Sequence, residues 1–198
     1  MKNSTIIATS LGGVAAFAVG LAIVIATQQP AIQSATVQPA PTTSQTASTP
    51  TEQLNPSSDE QIDDLLTYLI EEEKLAHDVY VALGEIWGSP IFSNISGSES
   101  QHQSQVEALL VNYGITDPRS AEPGVFVNDE LQSLYDSLVE TGSQSISGAI
   151  EAGIIIEETD IRDLQIAIDQ IDNADIDAVL TSLLNASENH LAAFSRQR

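Results

Sequence analysis

Glu99-Ser100-Gln101-His102 places a carboxylate and an imidazole one helical turn apart on the same face, the spacing with which one helix offers two ligands to a metal ion. The pair lies in a run of three- and four-residue steps, Phe92, Ile95, Glu99, His102, Val106, Leu109 and Tyr113, that faces a core. Ionisable groups seldom point inward without a partner. A second stripe, Leu66, Leu69, Glu73, Ala76, Tyr80 and Leu83, carries Glu73 at its middle. Two more follow the same steps: Ile154, Glu157, Ile161, Leu164, Ile168, Ile171, and then Ile176, Leu180, Leu183, Ser187, His190, Phe194. Each apolar stripe is interrupted by polar side chains near its centre.

The elements that must position these groups are helices. Pro56-Ser57-Ser58-Asp59 supplies capping oxygens for a first helix from 60 to about 86, which Trp87-Gly88 ends. Ser89-Pro90 reads as a cap followed by proline at the first helical position, opening a second helix over 90–113 that Gly114 and Asp117-Pro118 close. Residues 119–127 are loop, Asn128 caps a short helix over 129–140, and 143–152 form a further turn or two. This long crossover leads to a third helix over 153–171, a tight turn at Asp172-Asn173-Ala174-Asp175, and a fourth helix. No alternating β-branched run suggests a sheet.

Ligands on the two arms of a helical hairpin must lie at similar distances from the turn. Glu73 precedes Gly88 by 15 positions and His102 follows it by 14, each about 21 to 23 Å at 1.5 Å per residue. Glu157 precedes Asn173 by 16 and His190 follows it by 17. Both pairs are level. The expected fold is all-α, two short-turn hairpins joined by a crossover with short helices, their polar groups meeting at mid-height.

Composition narrows the chemistry. The 198 residues include 28 Asp and Glu against 6 Lys and Arg, a net charge of -22. Nucleic acid and anionic lipid are poor partners for such a surface, which concentrates cations instead. With no cysteine, a metal must be held by oxygen and nitrogen. Residues 1–26 read as a signal peptide or an uncleaved N-terminal membrane anchor, because Lys2 precedes an almost uncharged apolar run over 6–26. Residues 27–58, rich in Pro, Thr, Ser and Gln, bury too little to order and form a disordered linker. Residues 59–198 are the helical domain, and the protein is expected to be exported.

Four local patterns carry a resemblance. Glu71-Glu72-Glu73-Lys74-Leu75-Ala76-His77-Asp78-Val79-Tyr80, Ser98-Glu99-Ser100-Gln101-His102, Ile156-Glu157-Glu158-Thr159-Asp160-Ile161 and Asn189-His190-Leu191-Ala192-Ala193-Phe194 resemble the ferritin-like, rubrerythrin-related carboxylate bundles. They more closely resemble an uncharacterised family within that group. The resemblance implies an antiparallel four-helix bundle over residues 59 to 194, holding one or two divalent ions, iron first, with manganese or zinc as alternatives. It implies Glu73 as ligand from the first helix, Glu99 and His102 from the second, Glu157 or Glu158 from the third, and His190 from the fourth. Where a second Glu-x-x-His is expected, the chain has Ser187-Glu188-Asn189-His190. One ion, an asymmetric pair, and Glu158 in the missing carboxylate's place remain alternatives.

Several groups have plainer readings. Asp63, Asp64, Glu71 and Glu72 are expected to form a solvated face and His77 to lie on the surface. Tyr80 and Tyr113 are expected to pack on the inner stripes, and Trp87 at the bundle end. The acidic stretch 169–177 lacks an EF-hand loop. Iron-dependent oxidase or ferroxidase activity is what the resemblance implies. The competing expectation is a non-catalytic cell-envelope module for interaction or metal sequestration.

Overall fold

The computed structural model describes residues 58–198, so the apolar segment and nearly all of the linker read from the sequence lie outside the described residues. Among the described residues the fold is all-helical: α1 (Ser58–Trp87), α2 (Pro90–Tyr113), α3 (Asp129–Gly142), α4 (Ile146–Gln170) and α5 (Ala174–Ser195), with no strand. No helix there is long and apolar enough to cross a membrane.

The helix ends follow local chemistry. Pro90 opens α2 where a backbone donor would go unused, and Gly114 closes it at φ 71°, a left-handed conformation that suits glycine. The Asn128 side chain accepts from the N–H groups of Glu130 and Leu131, and Asn173 does the same for Asp175 and Ile176. Ser145 accepts from Gly148 and starts α4 early.

That start is a correction. Residues 146–170 form one unbroken helix, not a separate turn followed by a helix from Gly153. Gly153 is in mid-helix because the Phe194 ring leaves no space for a side chain. A Cβ there would lie 2.6 Å from that ring. The glycine admits a close approach and does not break the helix. Phe194 in turn packs with Tyr80 and Phe92, ring centroids 5.3 and 5.8 Å away.

α1 packs chiefly on α2 and α4 on α5, with further contacts from α1 to α4 and from α2 to α5. Two apolar clusters result. One gathers the start of α1 (Leu66, Leu69), the end of α2 (Val106, Leu109) and the turn between α4 and α5 (Ile171, Ile176). The other gathers Val79 and Tyr80 of α1, Phe92 of α2, Ile154 of α4 and Phe194 of α5. Between them lies a polar layer: Glu73 of α1, Glu99 and His102 of α2, Glu157 and Asp160 of α4, and Ser187 and His190 of α5. Each fully buried large apolar side chain contributes about 1.5–3 kcal/mol. The apolar clusters offset the cost of burying charge between them.

The crossover folds back over the outer face of α1, with α3 packed on α1 and α4. Glu71 and Glu72 are therefore buried, against the expectation of a solvated face, whereas Asp63 and Asp64 are exposed. Tyr113 is a further correction: it ends α2 beyond the core and is exposed. Trp87 packs at one end of the bundle and donates to the Gly142 carbonyl at 2.9 Å.

Candidate metal centre

The polar layer brings together Glu73, Glu99, His102, Glu157 and His190. Glu73, Glu99, His102 and Glu157 are buried, and the His190 side chain is 13% exposed. Hairpin register sets the pairs. His102 Nδ1 lies 3.2 Å from Glu73 Oε2 across α1 and α2, and 2.7 Å from Glu99 Oε2 one turn back on its own helix. His190 Nδ1 lies 3.0 Å from Glu99 Oε1 and 3.6 Å from Glu157 Oε2. The two imidazoles stack with centroids 5.6 Å apart. Glu99 thus sits between both histidines.

These atoms form two triangles that share Glu99: Glu73, Glu99 and His102, and Glu99, Glu157 and His190. Within each triangle the donor atoms lie within 4.8 Å of one another. Donors about 2.0–2.2 Å from one ion are at most about 4.4 Å apart, so small adjustments would close either triangle on a cation.

Hydrogen bonding supplies an independent test of fit. Buried Glu73 Oε1, Glu99 Oε1 and His190 Nδ1 have no hydrogen-bond partner. Glu99 Oε1 and His190 Nδ1 face each other at 3.0 Å as an ion pair, but not along a hydrogen-bonding line. Orphaned buried donors and acceptors cost about 1–3 kcal/mol each. Oxygen and nitrogen donors converging on common points fit a divalent ion.

Burial pushes the Glu73 carboxyl up to about 8, against the opposing pull of His102. Burial also disfavours ionised Glu99, but His102 and His190 on either side outweigh it and bring Glu99 down to about 2. Burial opposes charge on both histidines too, yet the facing carboxylates raise His102 to about 10 and His190 to about 9. Glu157 is raised by burial, although His190 and Tyr80 stabilise its anion. A cation entering this site must displace protons.

Tyr80 does more than pack. Its hydroxyl donates to Glu157 Oε1 at 2.6 Å and so orients that carboxylate. His102 Nε2 faces Ser98 Oγ at 3.4 Å, which leaves Nδ1 toward the carboxylates. Glu158 is exposed and belongs to neither triangle, unlike its neighbour Glu157. It does not stand in for the carboxylate missing at Ser187.

Asp160 escaped the sequence reading. It is buried in the same layer and accepts from Ser187 Oγ. The stripe drawn through Glu157, Ile161 and Leu164 stepped over it, yet Glu157, Asp160, Leu164, Ala167 and Ile171 keep the same three-four rhythm and are all buried. Ile161 is only partly buried. Hydropathy favoured the isoleucine, and the alternative register was the available signal.

The outer side of α1 holds a second polar cluster. Glu71 accepts from the N–H groups of Val127 and Asn128, both at 2.8 Å. Asp78 accepts from Lys74 and from the Gly124 N–H, and pairs with His77 Nδ1 at 2.8 Å. Lys74 also donates to the Glu122 carbonyl and lies over the Phe126 ring. His77 is partly buried by these contacts and is not a free surface residue.

Residues 62–198 match the family described as "Uncharacterized protein domain (DUF2202)". The chain is 43% identical over 142 residues to "Uncharacterized protein MJ0754" of Methanocaldococcus jannaschii, a match covering 71% of this chain and 76% of that one. The crystal structure of hypothetical protein MJ0754 from Methanococcus jannaschii is similar in fold, with a TM-score of 0.69 at 40% identity. That alignment covers 76% of this chain and 85% of the other.

Proposed function

This chain belongs to the DUF2202 family, and from its own side chains we propose that it is a ferritin-like metal-binding bundle that takes up iron and oxidises it. The observation that carries the reading is the set of buried, unpartnered donor atoms on Glu73, Glu99 and His190 between two triangles of ligand type. Hydrogen-bonded core polar groups would leave no such remainder. The order of ligands along the helices, Glu73, then Glu99-x-x-His102, then Glu157, then His190, supports the antiparallel four-helix carboxylate arrangement.

Iron held there would supply electrons to dioxygen or peroxide. The protein's own part is to bind and to orient. Glu99 lies between the two triangles, and Tyr80 holds one oxygen of Glu157. The apolar clusters on either side exclude water. The strongly acidic chain raises the local concentration of cations. Manganese and zinc suit the same donors. The apolar run over residues 6–26, after Lys2, supports export, by a cleaved signal peptide or an uncleaved membrane tether.

Metal content per chain, measured after purification without added metal, followed by an absorbance scan on adding ferrous iron in air, tests the reading. Bound metal and a rising ferric absorbance that Glu99→Ala with His102→Ala abolishes are expected. Metal uptake without oxidation would leave the sequestering module as the function. No uptake would overturn the metal reading altogether.

A further inference from the structure

The two halves of the polar layer do not match, and the mismatch has a compensation. In the register set by the Glu73 contact with His102, Ala76 is level with Glu99. In the register set by Glu157 and His190, Asp160 is level with Ser187, and the two side chains touch. One half therefore pairs a small residue on the first arm of its hairpin with a carboxylate on the second. The other half exchanges them, with the carboxylate on α4 and the small residue on α5.

Resting on the metal-binding reading above, we propose that Asp160 is a metal ligand. It supplies from α4 the carboxylate that α5 lacks at Ser187, and Ser187 is its positioning residue. Three observations carry this. Asp160 is 93% buried, and its Oδ1 has no hydrogen-bond partner while Oδ2 is held by the Ser187 hydroxyl. Ser187 is itself placed by its helix, since the Leu183 carbonyl lies 3.1 Å from the same hydroxyl and shares its single proton with Asp160. Asp160 and Glu73 line one small cavity between α1, α3 and α4, together with Glu72 and Thr159. Asp160 belongs to neither three-donor triangle as it stands. The serine hydroxyl holds it at their edge with one oxygen free.

A carboxylate buried without a cationic partner is expensive, and nothing about an apolar α4–α5 contact requires one. A ligand role accounts for both the burial and the orphaned oxygen. It also explains why Ser187 is small: a glutamate there would occupy the space that Asp160 fills from the facing helix.

Equilibrium dialysis against manganese(II) chloride, with free manganese read by electron paramagnetic resonance, counts ions per full-length chain. The wild type is expected to hold two. Asp160→Asn keeps the shape and an acceptor for Ser187, and is expected to hold one ion or to bind the second at least tenfold more weakly. Asp160→Ala combined with Ser187→Glu moves the carboxylate to α5 and is expected to recover the second ion. Circular dichroism of each variant confirms helical content. Wild-type stoichiometry of one, Asp160→Asn indistinguishable from wild type, or a well-folded exchange variant that does not recover the ion would each overturn this assignment alone. A wild type that holds no manganese at all would overturn it together with the metal-binding reading.

Discussion

α1 carries two buried polar clusters on opposite sides of the same two turns, and they differ in one respect. On the outer side, Glu71, Lys74 and Asp78 meet backbone partners from the crossover, Lys74 and Asp78 also pair with each other, and none of their buried atoms is orphaned. On the inner side, Glu73, Glu99, Asp160 and His190 each leave a buried atom without a partner. Both clusters are buried. Satisfaction separates a polar group that holds the chain together from one that waits for a ligand.

The largest effect expected from breaking this contrast is on the outer side. Asp78→Ala removes the acceptor shared by Lys74, His77 and Gly124. Removing one partner of such a buried pair costs about 3–5 kcal/mol, measurable by urea denaturation. The loss should be the same with and without manganese, because the outer cluster takes no part in metal binding. A loss that metal reverses would erase the distinction between the two sides.

An inner-side change should do the reverse. Metal at 100 times its dissociation constant stabilises the native chain by about 2.7 kcal/mol, seen as a raised melting temperature. Glu99→Ala with His102→Ala should abolish that shift while helical content persists. An equal shift in the double variant would mean that cations merely screen the acidic surface.

A smaller effect follows from pH. His102 and His190 have folded values raised to about 10 and about 9, so the stability they contribute is fully present below about pH 6.5 and is lost as pH rises through those values. Glu73, raised from 4.5 to about 8, acts in the same direction: its contribution fades as pH rises between those values. Glu99, lowered to about 2, contributes above its ordinary range and loses that only in acid. Between roughly pH 5 and 9 the metal-free layer therefore weakens as pH rises. Because a cation must displace the same protons, its stabilisation grows over that range. Melting temperatures with and without manganese at about pH 6 and about pH 8 should diverge more at the higher pH. A constant difference would place the metal elsewhere.

The inner cluster was largely legible in the sequence because helical period and distance from a turn are local quantities. Glu73 and His102, like Glu157 and His190, come level by counting alone, and Glu157 continues an apolar stripe while Glu158 leaves it. What was not legible depends on a segment returning from far along the chain. Glu71 is buried because the backbone of Val127 and Asn128 folds over it, and its own helix gives no sign of that. Asp160 was passed over because two registers of α4 are equally regular, and only packing against Ser187 selects between them. Gly153 read as a boundary because its reason for being glycine, the Phe194 ring, lies on another helix.

The central claim, that the inner cluster is a metal centre and the outer one is not, is tested most directly by anomalous diffraction from manganese-soaked crystals. The account predicts a peak enclosed by Glu73, Glu99 and His102, a second between Glu99, Glu157 and His190, and none beside Lys74 and Asp78. Peaks confined to exposed acidic side chains, with both triangles empty, would contradict it.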